Sequence, residues 1–354
     1  FFIIKIEKIN KIDSKETLNN CSRLLEVLDH KILFVIDKQK KLIGSISDGD
    51  IRRAVMRNKI RENSKITSIM NKLPAYINFS KKNSYSNSQI TKILKVKKYL
   101  PILNNNKIKE VIHFSNQDSS INKTNVIINA GGFGKRLHPI TKKTPKPNIL
   151  INQHSNIVNI LNSFYENGFR NFFITLHYKS GMIKKEVNRF FNKKAKIKYY
   201  VEKRPLGTFG GIKKISSKFR LKDNIIVINS DIITNLKFNN LKTFFEEKNF
   251  DFLLCCKKNS LQIPYGVIEE KKGLLKKIVE KPKFEFNINT GIYMIKPDVI
   301  NKIDFKKTQI HLTDLINSCI KKKIKINLFP ISEFWIDYGS KDILNKIEKD
   351  NFIF

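Results

Sequence analysis

A glycine-rich segment directly follows a short apolar run and carries several cationic side chains: Asn-Ala-Gly-Gly-Phe-Gly-Lys-Arg-Leu-His-Pro-Ile-Thr-Lys-Lys-Thr-Pro-Lys-Pro at 129–147. Glycines after a strand let backbone amides approach a polyphosphate closely. A Walker A loop is excluded, because it needs Gly in place of Asn129 and Ser or Thr in place of Arg136. A dinucleotide-binding turn is excluded as well, because it needs a small residue in place of Leu137. The segment therefore predicts a polyphosphate site of another kind.

The elements that position this segment alternate between strands and helices. Apolar runs and helical spacing predict strands at 126–129, 171–176, 196–201, 224–229 and 252–256, and helices at 157–167, at 182–191, from 208 onward and at 241–248. That order predicts an α/β fold with a doubly wound, mostly parallel sheet. Ligands of such sheets bind at the carboxyl ends of the strands, so residues that follow a strand are the candidates for chemistry.

The chain of 354 residues is long enough for about two domains, and a polar run without periodicity at 115–123 separates them. We predict an N-terminal domain at 1–118 and a C-terminal domain at 119–354. A helix is expected to begin at Asp48. The first part repeats the order helix, strand, turn and strand: 17–28, 32–36, 38–41 and 42–47, and then 88–95, 99–103, 104–107 and 108–114.

The full string at 129–147 resembles the signature of the sugar-1-phosphate nucleotidyltransferases, Gly-Gly-x-Gly-x-Arg-Leu-x-Pro-x-Thr followed by Pro-Lys-Pro. The resemblance implies the Rossmann-like fold of the nucleotide-diphospho-sugar transferases. It implies that Lys146 reaches the phosphate oxygens where the new bond forms. It also implies that a nucleoside triphosphate binds to Arg136 and to the start of the segment, at Ala130, Gly131, Gly132 and Gly134.

The string Ile-Asn-Ser-Asp-Ile at 228–232 follows a strand and resembles the family's Asn-Gly-Asp metal site, with Ser230 in place of the usual Gly. The string Trp-Ile-Asp-Tyr-Gly at 335–339 resembles the segment that supplies a second carboxylate. The resemblance implies that Asp231 and Asp337 hold one Mg²⁺ that bridges the phosphates. An isolated Asp after a strand is more often a cap or a turn residue, and the cations of the glycine-rich segment favour the metal site.

The string Glu-Lys-Arg-Pro-Leu-Gly-Thr at 202–208 resembles the family's base-reading segment, which in guanylyltransferases commonly begins with Glu at the position of Glu202. The resemblance places Gly207 and Thr208 in the nucleotide site too. A carboxylate accepts hydrogen bonds from the ring N–H and the exocyclic amine of guanine, an arrangement that thymine and uracil lack. Two alternatives stay open. Glu202 could form a surface salt bridge with the adjacent Lys or Arg, or the enzyme could be a thymidylyl- or uridylyltransferase in which Glu202 does not face the base.

Three later segments resemble those that hold the sugar phosphate: Pro-Tyr-Gly-Val-Ile at 264–268, Val-Glu-Lys-Pro at 279–282 and Asn-Thr-Gly-Ile-Tyr at 289–293. By this resemblance, Gly266 offers a backbone contact, Glu280 binds sugar hydroxyls and Lys281 binds the phosphate. Asn289 is expected to line the pocket. Thr290 stands where Ala is common and is expected to alter the sugar-facing wall.

The string Leu-Ile-Gly-Ser-Ile-Ser-Asp-Gly-Asp-Ile-Arg at 42–52 resembles a cystathionine-β-synthase (CBS) motif, and the internal repeat makes the N-terminal domain resemble a tandem CBS pair of α+β type. In that family Ser47 and Asp50 would hold the ribose and phosphate of an adenine nucleotide. A hydroxyl and a carboxylate at a helix N-terminus suit ribose hydroxyls and leave amides for phosphate. The second copy departs from the pattern, with Glu110 where the first has Gly44. A packing or dimerisation unit without a ligand stays the alternative.

A CBS pair joined to a nucleotidyltransferase resembles the glucosamine-1-phosphate guanylyltransferases of legionaminic acid synthesis, and also the manno-heptose-1-phosphate guanylyltransferases. The resemblance implies Mg²⁺-dependent transfer of a nucleotidyl group from a nucleoside triphosphate, with GTP preferred, to a sugar 1-phosphate, with glucosamine 1-phosphate preferred. The nucleotide-sugar would serve surface-glycan or nonulosonic acid synthesis. A mannose-1-phosphate guanylyltransferase, a glucose-1-phosphate thymidylyl- or uridylyltransferase, and a non-catalytic CBS nucleotide sensor are the alternatives.

The formal net charge of +37 comes from 68 basic and 31 acidic residues. Only 10 of the basic residues are Arg, and the lysines are scattered through every segment together with abundant Asn, Ile and Phe. A nucleic-acid groove concentrates its basic residues and interleaves aromatic ones. The composition therefore favours codon bias over a nucleic-acid partner, although the charge would attract any polyphosphate.

No apolar run approaches the roughly 20 residues of a membrane span, so we expect no membrane partner. Residues 1–4 precede a Lys-rich stretch without a small-residue cleavage site, which argues against a signal peptide, and a chain that begins with Phe could be a fragment. The six histidines show no metal-ligand spacing. A homodimer is a possible further partner. Free buried thiols in a reducing cytoplasm are expected for the cysteines, which form no CxxC pair: Cys21, Cys255, Cys256 and Cys319.

Overall fold

The computed structural model describes residues 2–5, 9–28, 31–56, 64–97, 99–115, 122–191, 195–305 and 307–349. Contacts between residues divide the chain into two compact units, residues 1–120 and 121–354. Part of the linker predicted at 115–123 lies outside the described residues, which omit 116–121.

Unit 1 contains the same order of elements twice, as the repeat in the sequence predicts. The elements are β1 (Phe2–Lys5), β2 (Lys11–Asp13), α1 (Leu18–Val27), β3 (Ile32–Ile36), β4 (Leu42–Ser47), α2 (Asp48–Met56), β5 (Ile77–Asn78), α3 (Asn87–Lys97), β6 (Tyr99–Asn104) and β7 (Lys107–Ser115). In the first copy, β2, β3 and β4 form a three-stranded sheet, and α1 is its helix. In the second copy, β5, β6 and β7 form a sheet with β1, and α3 is its helix.

Unit 2 alternates strands and helices over most of its length. Its elements are β8 (Asn122–Ala130), α4 (Ile140–Lys143), β9 (Leu150–Ile151), β10 (His154–Ser155), α5 (Asn156–Glu166), β11 (Phe169–Leu176), α6 (Ser180–Phe191), β12 (Lys196–Val201), α7 (Gly207–Phe219), β13 (Ile225–Asn229), β14 (Ile232–Thr234), α8 (Phe238–Glu247), β15 (Phe252–Gln262), β16 (Val267–Lys271), β17 (Leu274–Val279), β18 (Lys283–Ile295), α9 (Pro297–Asn301), α10 (Leu312–Lys321), β19 (Ile326–Pro330), β20 (Trp335–Asp337) and α11 (Lys341–Lys349).

The central sheet of unit 2 has seven strands among the described residues, in the order β12-β11-β8-β13-β18-β15-β19. Strand β18 is antiparallel to both neighbours, and every other neighbouring pair is parallel. The α/β fold with a mostly parallel sheet, predicted from the order of the elements, is confirmed. Successive side chains of a strand point to opposite faces. Val126 and Ile128 of β8 therefore pack into one hydrophobic core, and Ile127 packs into the other.

The topology brings the predicted site residues to one edge of this sheet. Strands β8 and β13 are parallel neighbours, with Asn129 opposite Asn229, so the loops that follow them start side by side. Strand β14 pairs with β20 and places Ile232 opposite Asp337, which brings the distant second carboxylate to the end of β13. The four cysteines are buried thiols that form no disulfide with one another, as expected. None of the described helices is long and apolar enough to cross a membrane.

Candidate active site

Residues 131–134 leave the carboxyl end of β8 as an open loop. A Cβ atom at Gly132 would meet no atom within 4 Å. Gly134 has a φ of +65°, in the left-handed region that favours glycine, and a Cβ there would lie 2.9 Å from Thr141 Cγ2. The hydroxyl of Thr141 donates to the carbonyl oxygen of Gly134 at 2.8 Å. The loop is therefore held from one side while its backbone stays accessible on the other, as a polyphosphate site requires.

The predicted catalytic residues come together around one glycine. Lys146 Nζ forms an ion pair with Asp231 and lies 3.9 Å from Asp337 Oδ1. A Cβ atom at Gly339 would lie 3.0 Å from Asp337 Oδ1, 3.6 Å from Lys146 Nζ and 3.7 Å from Arg136 Nη1. Arg136, Lys146 and Asp337 thus surround the small volume beside Gly339, and a larger residue than Gly339 would enter it. Asp231 joins this group through its ion pair with Lys146.

The two carboxylates fit a metal ion. Asp231 Oδ1 and Asp337 Oδ1 are buried and have no hydrogen-bond partner among the described residues. Burial and the negative charge of Asp231 raise the pKa of Asp337, and Lys146 opposes that shift. Mg²⁺ is commonly held by one or two carboxylates together with substrate phosphates. No cluster of three or more His, Cys, Asp or Glu within the described ranges could hold a metal, so phosphate and water oxygens would complete the coordination here.

Two positioning residues were missed by sequence reasoning. The fully buried Tyr338 has its hydroxyl 3.1 Å from the carbonyl oxygen of Lys146 and 3.2 Å from that of Ser230. Burial raises its pKa well above the ordinary value. The amide of Asn156 donates to the carbonyl oxygens that flank Asp231, at 2.8 and 3.1 Å. Tyr338 belongs to the Trp-Ile-Asp-Tyr-Gly motif at 335–339, which could have drawn attention to it. Nothing in the sequence singled out Asn156.

The carboxylate of Glu202 lies at the end of β12 and is 7% exposed. Its Oε2 atom accepts a hydrogen bond from the Leu206 N–H at 3.0 Å, and a Cβ at Gly131 would lie 3.7 Å from both carboxylate oxygens. Burial raises the pKa of Glu202, and the Leu206 N–H and His177 oppose that shift. Within the described ranges no ion pair joins Glu202 to the two basic residues that follow it. Glu202 is therefore a buried residue beside the glycine loop, and it does not form the surface salt bridge that the sequence left open as an alternative.

A cavity of about 290 Å³ lies between the glycine loop, Glu202 and the end of β13. It brings together seven of the predicted site residues: Gly131, Gly132, Lys146, Glu202, Gly207, Thr208 and Asp231. Its wall also includes residues that the sequence did not single out, among them Phe133, Thr175, Asn229 and His311. Ala130 is buried beneath the loop, where its N–H donates to Thr175 Oγ1 at 3.3 Å, so its part is structural support.

The start of α7 is clamped against the segment that leads into α10. Gly207 has a φ of +80°, and a Cβ there would lie 2.4 Å from the carbonyl oxygen of Ile310. Thr208 Oγ1 accepts a hydrogen bond from the Leu312 N–H at 2.9 Å, which leaves its own hydroxyl hydrogen for a ligand. Only glycine fits at position 207, because the backbone of Ile310 lies too close for a side chain. This contact forms one wall of the cavity.

The predicted sugar residues lie near the base of the hairpin formed by β16 and β17. A Cβ at Gly266 would lie 3.0 Å from Glu280 Oε2, and the Lys281 N–H donates to the carbonyl oxygen of Tyr265 at 3.3 Å. Asn289 accepts a hydrogen bond from the Gly291 N–H at 3.0 Å and donates to the Tyr293 hydroxyl at 2.7 Å. These residues do not line the 290 Å³ cavity described above.

Thr290 occupies a different position from the one expected. Its side chain is fully buried, and its hydroxyl donates to the carbonyl oxygen of Cys255 at 2.8 Å. Its own carbonyl oxygen accepts from Trp335 Nε1 at 2.9 Å. Because neighbouring residues of a strand face opposite sides, Thr290 turns into the core of the sheet rather than towards a sugar.

The two ligand candidates of unit 1 bind each other. The hydroxyl of Ser47 donates to Asp50 Oδ2 at 2.6 Å, and the Ser47 N–H donates to the same oxygen at 2.9 Å. The other oxygen of Asp50 forms an ion pair with Arg53. Glu110, in the second copy, is buried and forms a 2.5 Å ion pair with Lys82. Ser47 and Asp50 therefore cap α2 in this structure, and an adenine nucleotide would have to displace Arg53 to reach both carboxylate oxygens.

Comparisons with known proteins identify relatives of unit 2. The model of the nucleotidyl transferase family matches residues 125–351. The chain is 30% identical over 228 residues to a mannose-1-phosphate guanyltransferase of Aspergillus oryzae. It is 31% identical over 228 residues to the mannose-1-phosphate guanyltransferase 2 of Candida glabrata. Each alignment covers 62% of this chain and 62% of the relative, so the chain spans less than two thirds of the length of these curated relatives.

The fold of unit 2 also has a counterpart among solved structures. HddC from Yersinia pseudotuberculosis matches with a TM-score of 0.50 and 22% sequence identity, covering 64% of this chain and 99% of that one. At this identity the likeness shows the fold alone. Since the family model spans well over half of the sequence, the chain belongs to the nucleotidyl transferase family.

Proposed function

We propose that this protein transfers a nucleotidyl group from a nucleoside triphosphate to a sugar 1-phosphate in a Mg²⁺-dependent reaction, with GTP as the preferred donor. The observation that carries the proposal is the meeting of Arg136, Lys146 and Asp337 beside Gly339, with Asp231 paired to Lys146. Cations and metal-binding carboxylates side by side are what a transferring phosphoryl group requires. The relatives described above are mannose-1-phosphate guanyltransferases, which supports the same reaction class.

The reaction needs no general base, because the attacking oxygen of a sugar 1-phosphate is already anionic at neutral pH. That oxygen forms a bond to the α-phosphorus, the bond from the α-phosphorus to the bridging oxygen breaks, and pyrophosphate leaves with the electron pair. Lys146 and Arg136 neutralise the charge that accumulates on the phosphate oxygens. A Mg²⁺ held by Asp231 and Asp337 would supply further charge neutralisation and hold the phosphates in line. The chain's own contribution is therefore positioning and electrostatics.

The preference for guanine rests on the position of Glu202. Its carboxylate is buried beside Gly131, with one oxygen taken by the Leu206 N–H. An ionised carboxylate accepts hydrogen bonds from the ring N–H and amino group of guanine and repels the carbonyl edges of uracil and thymine. This preference would separate GTP from UTP and dTTP.

The acceptor is a sugar 1-phosphate under this proposal. The relatives are named for mannose 1-phosphate, whereas the joined CBS-like domain favours glucosamine 1-phosphate. The candidate sugar groups are the Glu280 carboxylate beside Gly266 and the ammonium group of Lys281. The nucleotide-sugar would serve glycan or nonulosonic acid synthesis in the cytoplasm, where nucleoside triphosphates and reduced thiols are available.

We also propose that unit 1 is a CBS pair that binds an adenine nucleotide at Ser47 and Asp50. Its support is the repeated order of elements and the placement of both residues at the N-terminus of α2. Titration calorimetry with AMP and ATP tests this part separately. Nucleotide binding that is lost in Asp50→Ala supports a CBS ligand site. If neither nucleotide binds, unit 1 is a packing unit without a ligand.

The main experiment is pyrophosphate release with Mg²⁺, pairing GTP, UTP, dTTP, CTP and ATP each with mannose, glucosamine, glucose and heptose 1-phosphates. Release with GTP and one of these sugars, abolished by EDTA and restored by excess Mg²⁺, supports the proposal. Release with UTP or dTTP instead would overturn the guanine assignment only. If a protein with a cooperative thermal transition released no pyrophosphate with any pair, the proposed nucleotidyl transfer would be overturned.

A further inference from the structure

One histidine lies between the glycine loop and the candidate base-reading residue. Strands β8, β11 and β12 are parallel neighbours, and their last residues stand in one row of the sheet: Ala130, Leu176 and Val201. Because parallel strands advance together, the residues that follow continue the row. His177 therefore stands beside Gly131 on one side and Glu202 on the other. A Cβ atom at Gly131 would lie 3.6 Å from His177 Cβ.

His177 binds the main chain of Glu202. Its Nδ1 atom lies 2.9 Å from the carbonyl oxygen of Glu202, and because a carbonyl oxygen only accepts hydrogen bonds, Nδ1 carries the hydrogen. The N–H of Glu202 donates to the carbonyl oxygen of Leu176 at 2.7 Å, and its Oε2 accepts from the Leu206 N–H. Glu202 is thus held at three points, and Oε1 accepts no hydrogen bond from another described residue.

The ring of His177 contacts the glycine loop. The rings of His177 and Phe133 meet edge to face, with centroids 5.3 Å apart and planes at 86°, a geometry that aromatic pairs prefer. The ring of Tyr178 lies 5.6 Å from the same Phe133 ring. Phe133 is 40% exposed and lines the cavity. Two aromatic side chains that follow β11 therefore fix the position of the loop relative to that strand.

We propose that His177 is the positioning residue that joins base recognition to phosphate binding, with its Nδ1–H on the main chain of Glu202 and its ring on Phe133. A nucleotide spans both places, so their separation has to match the distance from base to phosphates. This inference rests on the proposed nucleotidyl transfer and on Glu202 as the residue that contacts guanine. His177 also opposes the rise in the pKa of Glu202 that burial causes, which favours the ionised carboxylate.

The N–H of His177 is tested on the full chain by pyrophosphate release from GTP and from UTP. His177→Phe keeps a ring against Phe133 and removes the donor to the Glu202 carbonyl oxygen. We expect the KM for GTP to rise about three- to tenfold, the value of one net hydrogen bond, while kcat changes little. The KM for UTP should change less, so the preference for GTP shrinks. His177→Asn places an amide N–H near the position of Nδ1 and should keep the preference.

The ring contact is tested by a second pair of variants. His177→Asn and Phe133→Leu each remove one ring of the edge-to-face pair. Both should raise the KM for GTP and for UTP by the same factor, because the loop is expected to contact the phosphates that both nucleotides share. The double variant should exceed neither single variant in KM, because two residues that form one contact do not act additively.

The matched control is His154→Phe, which alters a histidine with its own edge-to-face partner, Phe190, at the same centroid distance of 5.3 Å. This control should keep both KM values and the preference for GTP. Far-UV circular dichroism and thermal unfolding should show that all variants are folded. If His177→Asn lost the preference as completely as His177→Phe, the role of the N–H would be excluded and the proposal overturned.

Titration calorimetry with GTP and with UTP separates this inference from the proposed reaction. If the unaltered chain releases pyrophosphate from GTP, and His177→Phe does so with the same KM and preference, the inference is overturned and the reaction stands. If the unaltered chain releases no pyrophosphate but binds GTP more tightly than UTP, and His177→Phe removes that difference, the inference stands and the reaction is overturned.

Discussion

The hydroxyl of Tyr338 lies 3.1 Å from the carbonyl oxygen of Lys146, although the two residues are far apart in the sequence. Tyr338 directly follows Asp337, so this contact joins the segment that carries the cation to the segment that carries the second carboxylate. The same hydroxyl lies 3.2 Å from the carbonyl oxygen of Ser230, next to Asp231. One buried side chain thus contacts the backbone of the segments that carry Lys146 and Asp231 and is itself adjacent to Asp337.

Replacing this tyrosine tests that relationship. Tyr338→Phe keeps the ring and removes one hydroxyl, while the carbonyl oxygens of Ser230 and Lys146 keep the N–H groups of Asn156 and Ile149 as donors. The loss is therefore that of one net hydrogen bond, about 0.5–1.5 kcal/mol. We expect the free energy of unfolding of unit 2 to fall by that amount in urea titration, and kcat to fall while the KM for each substrate changes little. Tyr76→Phe, at a half-exposed site in unit 1, is the control and should change neither. Unchanged stability in Tyr338→Phe would mean that the hydroxyl contact contributes nothing.

The carboxylates are expected to act together on the metal. Asp231→Asn and Asp337→Asn should each reduce pyrophosphate release by about a hundredfold or more, the size of effect seen when a charge-stabilising group is lost. The apparent Mg²⁺ requirement should rise in both variants. Asp304→Asn alters a solvent-exposed carboxylate that pairs with Lys213 at 2.7 Å and should leave activity unchanged. Near-normal turnover in Asp231→Asn would exclude its metal role.

The pH dependence of base selection follows from Glu202. Burial raises its pKa above the ordinary value, so the carboxylate takes up a proton at a higher pH than an exposed Glu does. Only the ionised form accepts both hydrogen bonds from guanine. As the pH falls through the raised pKa, the KM for GTP should rise and the preference over UTP should shrink.

Glu202→Gln should show the weak preference at every pH. Glu186→Gln, on α6, is the control and should keep the pH profile of the unaltered protein. A preference for GTP that stays constant from neutral to acidic pH in the unaltered protein would contradict this role of Glu202.

Substitution by alanine should change the free energy of unfolding in opposite directions at two glycines, one at the clamped start of α7 and one within α6. Gly207→Ala forces a Cβ to 2.4 Å from the Ile310 carbonyl oxygen at a φ of +80°, so we expect a loss of about 2 kcal/mol or more. Gly181→Ala, within α6, meets nothing within 4 Å and should raise stability by about 0.4–1 kcal/mol by restricting the unfolded chain. Thermal unfolding measures both. A tolerated Gly207→Ala would mean that the Ile310 segment moves freely.

Much of the fold could be predicted because its causes are local. A strand buried on both faces of a parallel sheet reads as a continuous apolar run, as at Val126–Ile128, and amphipathic helices between such runs repeat every three to four residues. The place of Gly134 in the loop could be predicted for a similar reason, because the left-handed backbone of the turn depends on that residue alone. The candidate roles of Lys146, Asp231 and Asp337 could be predicted because they depend on the types and order of the residues in three short motifs.

The sequence by itself therefore determined the class of fold, the edge of the sheet at which the candidate site residues gather and the chemical groups available there. Only the tertiary structure decided how those groups meet: that Gly339 makes room for Arg136 and Lys146, that Glu202 is buried, and that Thr290 faces the core. The physical reason is the range of the interactions. Periodicity and turn preferences act over a few residues, whereas a side chain's neighbours depend on segments that folding brings together from distant parts of the chain.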